Sequence, residues 1–177
     1  MPVFELLFEA IGITSDPVTF SSGYLRRLAA CSELIEGAEA TIRALHGEVG
    51  LMVITDGLKE VQRPRLARST IGGYFTDIVI SEEVGVAKPD GAIFDVAFNR
   101  MNDPRKEEVL IVGDSLNSDI KGGNDYGVDA CWFNPARLPR TPAVAVRYEI
   151  SRLDELLGIV AGSHQSTHDT TDTGVSA

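Results

Sequence analysis

Residues 109–119 read VLIVGDSLNSD: four apolar residues, a glycine, then Asp114 and Asp119 five positions apart across a turn rich in Ser and Asn. A short run that is apolar at every position predicts a strand covered on both faces. The glycine and the polar residues after it predict a sharp turn into a helix over 118–126. The same unit recurs on either side. A helix over 38–46, with Ile42 and Leu45 inward, leads to a strand at 51–55 (LMVIT). A helix over 61–69 leads to a strand at 78–81 (IVIS), and one with Ile93, Phe94, Ala97, Phe98 and Met101 on a single stripe leads to 109–112. A further strand is predicted at 129–133. Helix–strand units whose strands are apolar throughout predict an α/β fold, a Rossmann-like parallel sheet with helices on both faces. Pro64 removes one backbone donor from the second helix, which is therefore expected to kink or to begin late.

The flanking segments differ from this core. Residues 1–36 show helical periodicity only, with Phe4, Leu7, Phe8 and Ile11 on one face and Tyr24, Leu25 and Leu28 on another, separated by the breaker Asp16-Pro17. Residues 161–177, AGSHQSTHDTTDTGVSA, are poor in apolar side chains and are predicted to form a disordered tail. The core then spans 37–160. The 177 residues carry 16 Lys plus Arg against 26 Asp plus Glu, a net charge of −10. That balance provides no broad cationic surface, so neither a nucleic-acid nor a membrane partner is expected. No apolar run approaches the ~18 residues of a membrane-spanning helix. Glu5 and Glu9 interrupt the first apolar stretch, which no basic segment precedes, so a secretory signal is not expected and the cytoplasm is the expected location. Cys31 and Cys131, in apolar surroundings and in no metal-ligand spacing, are expected to be buried free thiols.

Ligands of open parallel sheets bind outside the carboxyl ends of the strands. Four places qualify. Thr55-Asp56-Gly57 offers a hydroxyl and a turn whose backbone N–H groups can face an anion. The segment 81–90, SEEVGVAKPD, carries Lys88. Asp114 and Asp119 follow the third strand, and Asn134-Pro135 follows the fourth. Each has an ordinary alternative: Thr55 as a helix cap, Lys88 as a solvated amine, Asp114 and Asp119 as a turn residue and an exposed helix residue. Together, a hydroxyl, an ammonium and two hard oxygen ligands on one sheet edge are the parts needed to hold a phosphoryl group and Mg²⁺.

The succession VITDG, VAKPD and LIVGDSLNSD resembles the second, third and fourth motifs of the haloacid dehalogenase-like hydrolase superfamily, over roughly residues 37–160. The stretch VISEEVGVAKPDGAIFDVA is similar to bacterial members that hydrolyse pyrimidine nucleoside monophosphates. The resemblance implies an Mg²⁺-dependent phosphatase acting on a small phosphomonoester, with a nucleoside monophosphate as one candidate. It implies that Thr55, Asp56, Gly57 and Lys88 bind phosphate, with Asp56 where relatives often carry Asn. Lys88 and Asp114 become catalytic, Asp114 as a direct Mg²⁺ ligand. Asp119 becomes a second metal-site acid that binds metal-bound water or orients Lys88. Residues 1–36 become part of a helical cap.

The family's first motif is an apolar strand ending in Asp-x-Asp-x-Thr, whose first Asp attacks phosphorus. The nearest string here, Ser15-Asp16-Pro17-Val18-Thr19, lacks the second acid and the preceding strand. The sequence is therefore expected to begin inside the cap, after the nucleophile, and to be inactive alone. The family fold places that strand centrally, between those ending at Thr55 and Gly113. Its absence predicts two open edges ~10 Å apart, and leaves three outcomes: closure of the sheet, a strand supplied by another chain in an oligomer, or a longer protein. The alternative function is a non-catalytic module that binds a phosphorylated ligand or a protein partner. A receiver-like signalling domain is disfavoured by order, because its acidic pair precedes the Lys whereas Asp114 and Asp119 follow Lys88.

Overall fold

The computed structural model describes residues 2–12, 14–140 and 143–168. Two helices, α1 (Pro2–Ile11) and α2 (Pro17–Ala30), form a hairpin. Asp16 caps α2: its carboxylate accepts the Val18 and Thr19 N–H groups at 3.2 and 3.1 Å and the Thr19 hydroxyl at 2.5 Å, and Pro17 supplies the preset φ of a first helical residue. These hydrogen bonds, that from the Thr19 hydroxyl foremost, hold the Asp16 carboxyl below its usual range. Phe4 and Phe8 meet Phe20 edge-to-face at 5.1 Å, and Phe4 meets Tyr24 at 5.6 Å.

The core follows as α3 (Ala38–Leu45), β1 (Met52–Thr55), α4 (Lys59–Arg68), β2 (Asp77–Ile80), α5 (Ser81–Val84), α6 (Gly91–Arg100), β3 (Leu110–Gly113), α7 (Lys121–Tyr126), β4 (Asp129–Phe133), β5 (Tyr148–Ile150) and α8 (Leu156–His168). Every strand pair is parallel, as the wholly apolar runs predict. β1 pairs with β2, aligning Val53 with Ile78, and β4 lies between β3 and β5, aligning Ile111 with Ala130 and Trp132 with Glu149. The strands form two sheets rather than one, because β1 and β3 do not pair with each other.

Helix α6 joins the two sheets. Its Ile93 and Phe94 are fully buried, and with Ala97 and Val79 of β2 they form a cluster that also takes in Met52 and Ile54 of β1 and Ile111 of β3. Removing each such large side chain from water contributes about 1.5–3 kcal/mol. Strand alternation directs Ala130 and Trp132 to a cluster with Ile120, and Cys131 to one with Ile150 and Leu156, so apolar packing lies on both faces of β4.

The Leu51 carbonyl accepts the Thr76 N–H at 2.8 Å, which directs the backbone groups of Leu51 toward β2. By the two-residue period, those of Val53 and Thr55 follow, while those of Met52 and Ile54 face the opposite, unpaired edge. All of β1 is only half-buried, and Val112 of β3 is 41% exposed.

Several expectations are corrected. Helix α4 does not begin late: it starts at Lys59 and runs through Pro64, whose missing donor costs one intrahelical bond in the second turn. Cys131 is buried, and burial pushes its thiol up to about 11, but Cys31 is exposed at the end of α2. The expected tail is helical as far as His168, because a helix nucleated on Leu156 and its neighbours propagates at little cost; residues 169–177 lie outside the described residues. Among the described residues, no helix is long and apolar enough to cross a membrane.

Candidate phosphate and metal site

The carboxyl ends of β1, β2 and β3 deliver the predicted residues to one edge, and Lys88 is where they meet. Its ammonium lies 2.7 Å from Asp119 Oδ1 and donates to the Ile54 carbonyl at 3.0 Å. Both side chains are nearly enclosed, at 11% and 10% exposure. One side chain thus ties the open edge of β1 to the turn after β3. In so protected a place the pair is much less screened than a surface ion pair.

Asp119 reaches this position because the chain after β3 makes one wide turn, Leu116–Ile120, in which the Ile120 N–H reaches back to the Ser115 carbonyl at 3.1 Å. Its second oxygen accepts the Ser115 N–H at 3.0 Å. Gly113 makes room for it: a Cβ there would lie 2.4 Å from the Asp119 side chain. Both Asp119 oxygens are therefore engaged within the protein, which fits orientation of Lys88 rather than direct metal ligation.

Asp114 differs. Its carboxylate is exposed and makes no hydrogen bond or ion pair among the described residues, while its backbone carbonyl accepts the Trp132 indole N–H at 3.0 Å. An anchored backbone with an open carboxylate suits Mg²⁺, which binds through one or two carboxylates and keeps several waters. No group of three or more His, Cys, Asp or Glu side chains converges among the described residues, so a cage made wholly of protein ligands is not formed. The Thr55 hydroxyl, half-buried at the end of β1, also has no hydrogen-bond partner among the described residues.

Two of the groups expected to contact phosphate have partners within the protein. The Gly57 N–H donates to Ser81 Oγ at 2.9 Å and is not open to an anion. The Asp56 carboxylate accepts the Lys88 N–H at 3.1 Å, which ties the Lys88 loop to the end of β1. Sequence reasoning also missed a clamp built by α5. Ser81 holds Gly57, Glu82 accepts the Lys59 N–H at 2.8 Å, and Glu83 makes two bonds of 2.6 Å with Arg63. The Arg63 guanidinium, through its hydrogen bond, holds the Glu83 carboxyl below its usual range. Two adjacent acids directly after a strand were the available signal.

The haloacid dehalogenase-like hydrolase family model matches residues 9–127. The chain is 37% identical to the HAD-hydrolase YfnB of Bacillus subtilis over 157 residues, which is 89% of this chain and 67% of YfnB. It is 35% identical to the pyrimidine 5'-nucleotidase YjjG of Escherichia coli over 153 residues, covering 86% of this chain and 67% of YjjG. A crystal structure of YfnB bound to magnesium superposes with a TM-score of 0.83, over 89% of this chain and 69% of that one. The chain thus spans about two thirds of the length of these relatives. On the matched residues and their arrangement, it belongs to the haloacid dehalogenase-like hydrolases.

Proposed function

We propose that residues 37–160 form the phosphate- and Mg²⁺-binding part of a phosphatase acting on a small phosphomonoester in the cytoplasm, with a nucleoside monophosphate as the favoured substrate. The observation that carries this reading is the placement of Lys88, enclosed between Asp119 and the end of β1, beside the unengaged Thr55 hydroxyl and Asp114 carboxylate. Lys88 and Thr55 take phosphoryl oxygens. Asp119 fixes the Lys88 ammonium, and Asp56 fixes its backbone. Asp114 holds Mg²⁺, which, when bound, draws charge from the phosphoryl oxygens. The substrate preference rests on similarity to YjjG and to the pyrimidine 5'-nucleotidase PynA of Streptococcus pneumoniae.

The string Asp-x-Asp-x-Thr does not occur in the sequence, and the carboxylate of Asp16 is spent on capping α2. Turnover is therefore expected to need an attacking carboxylate from outside residues 37–160. β1 and β3 each leave one edge unpaired among the described residues, and the strand that carries the attacking carboxylate would pair there, from this protein or from another chain in an oligomer. Without that strand the chain is a binding module for phosphorylated ligands. The expected result is that the 177-residue chain hydrolyses no p-nitrophenyl phosphate, whereas a form extended by an apolar strand ending in Asp-x-Asp-x-Thr does. Turnover by the 177-residue chain that Asp114→Ala abolishes would contradict the need for an outside nucleophile.

A further inference from the structure

Trp132 of β4 stands opposite Gly113 of β3 in the parallel register and is 2% exposed. Register partners point to the same face of a sheet, so its ring lies beside the space that Gly113 leaves for Asp119. The ring belongs to a cluster with Ile120 and Ala130, against which Leu116, Val144 and Val146 pack. Leu116 and Ile120 are the two ends of the wide turn that carries Asp119. The indole N–H leaves this cluster for the Asp114 carbonyl, at 3.0 Å. That carbonyl shares its peptide unit with the Ser115 N–H, which donates to Asp119 Oδ2 at 3.0 Å. One planar peptide is thus held at its oxygen by Trp132 and at its N–H by Asp119. The other Asp119 oxygen lies 2.7 Å from the Lys88 ammonium.

We propose that Trp132 is a positioning residue for Mg²⁺ at Asp114, acting through the Asp114–Ser115 peptide; this rests on the reading of Asp114 as the metal ligand. The Asp114 carboxylate has no hydrogen bond of its own among the described residues, so its direction is set by the backbone that carries it. Because a peptide is rigid, fixing its oxygen and its N–H fixes the plane and with it ψ of Asp114. Without the indole bond the plane is held from one side only. Donor and acceptor on one peptide also polarise each other, so the Trp132 bond strengthens that from Ser115 to Asp119. The same peptide therefore aims the metal carboxylate at one end and, through Asp119, steadies Lys88 at the other. Groups that orient a metal ligand without touching the metal commonly contribute about ten- to hundredfold in affinity.

Trp132 is the only tryptophan of the chain, so replacing tryptophan throughout by benzothienylalanine changes this position alone. Sulfur then stands in place of the N–H while the ring keeps its size. Calorimetric titration of Mg²⁺ into the full chain reads the effect. Affinity is expected to fall about tenfold, equivalent to about 1.4 kcal/mol. Trp132→Phe, which also lacks the N–H, should lose at least as much and keeps the test intact should the replaced protein not fold. Ile150→Val loosens the opposite face of β4, where Ile150 packs with Cys131, and should keep Mg²⁺ affinity within about twofold. Wild-type affinity in either tryptophan variant, or an equal loss in Ile150→Val, overturns the positioning role alone. Mg²⁺ that fails to bind the wild type, or that binds Asp114→Asn as tightly, overturns the Asp114 reading and this inference with it.

Discussion

Strands β1 and β3 are as apolar as β2 and β4, yet they are buried quite differently. Val79 and Ile80 of β2 are 0% exposed and residues 130–132 of β4 at most 2%, whereas every residue of β1 is half-buried and Val112 of β3 is 41% exposed. Inner strands of a parallel sheet are ordinarily its most enclosed. β2 also has a single paired neighbour, so pairing alone does not set burial: β2 is covered by α4, α5 and α6, whereas β1 and β3 are bridged by α6 and, at the carboxyl end, by Lys88. Composition alone therefore does not determine burial here. The open edges also place the site on the least enclosed part of the sheet, where a further strand alters it most.

The largest test of this contrast is Phe94→Ala. Phe94 belongs to the cluster that spans both sheets, and its loss is expected to cost about 3–5 kcal/mol in urea unfolding, whereas Val112→Thr should stay within about 0.5 kcal/mol. Equal losses would erase the distinction between the strands. Next comes Lys88→Met, which leaves Asp119 enclosed without its cation and is expected to cost about 3 kcal/mol. The double variant with Asp119→Leu should recover much of that loss, and a double variant as unstable as the single one would show that the pair is not coupled. Hydrogen exchange read at individual amides sharpens the picture further. Met52 and Ile54 amides, on the open edge, should exchange faster than those of Val53 and Thr55, which face β2; uniform protection along β1 would mean that the edge is closed.

The smallest expected effect is at the α5 clamp. Because Arg63 depresses the Glu83 carboxyl in the folded protein, the clamp's contribution is complete above the unfolded value, 4.5, and is lost as pH falls through the lower folded value. The stability gap between the wild type and Glu83→Gln should be flat from about pH 6 to 8 and close on acidification. A gap that widens in acid would contradict the pairing.

The helix–strand order was legible because parallel strands buried on both faces appear as unbroken apolar runs, as at 78–81 and 109–112. β5 was not, since Tyr148-Glu149-Ile150 is three residues long with a charge at its centre. Cys31 looked buried from its apolar neighbours, but α2 ends at the surface. Residue type and spacing single out Lys88, Asp114 and Asp119, and folding brings Lys88 and Asp119 into contact. The positioning roles of Ser81, Glu82, Glu83 and Trp132 were not readable in this way, because each acts through a contact made across roughly 18 to 24 residues of chain. The partners of Asp56 and Gly57, Lys88 and Ser81, are likewise neighbours only after folding.

Calorimetric titration of inorganic phosphate into the full chain, with and without Mg²⁺ and with Asp114→Asn, bears most directly on the phosphate and metal site. The expected result is binding that needs Mg²⁺ and disappears in Asp114→Asn while the unfolding midpoint stays unchanged, since the Asp114 carboxylate has no partner among the described residues to lose. Phosphate binding that is equally tight without Mg²⁺, or that Asp114→Asn leaves untouched, would contradict it.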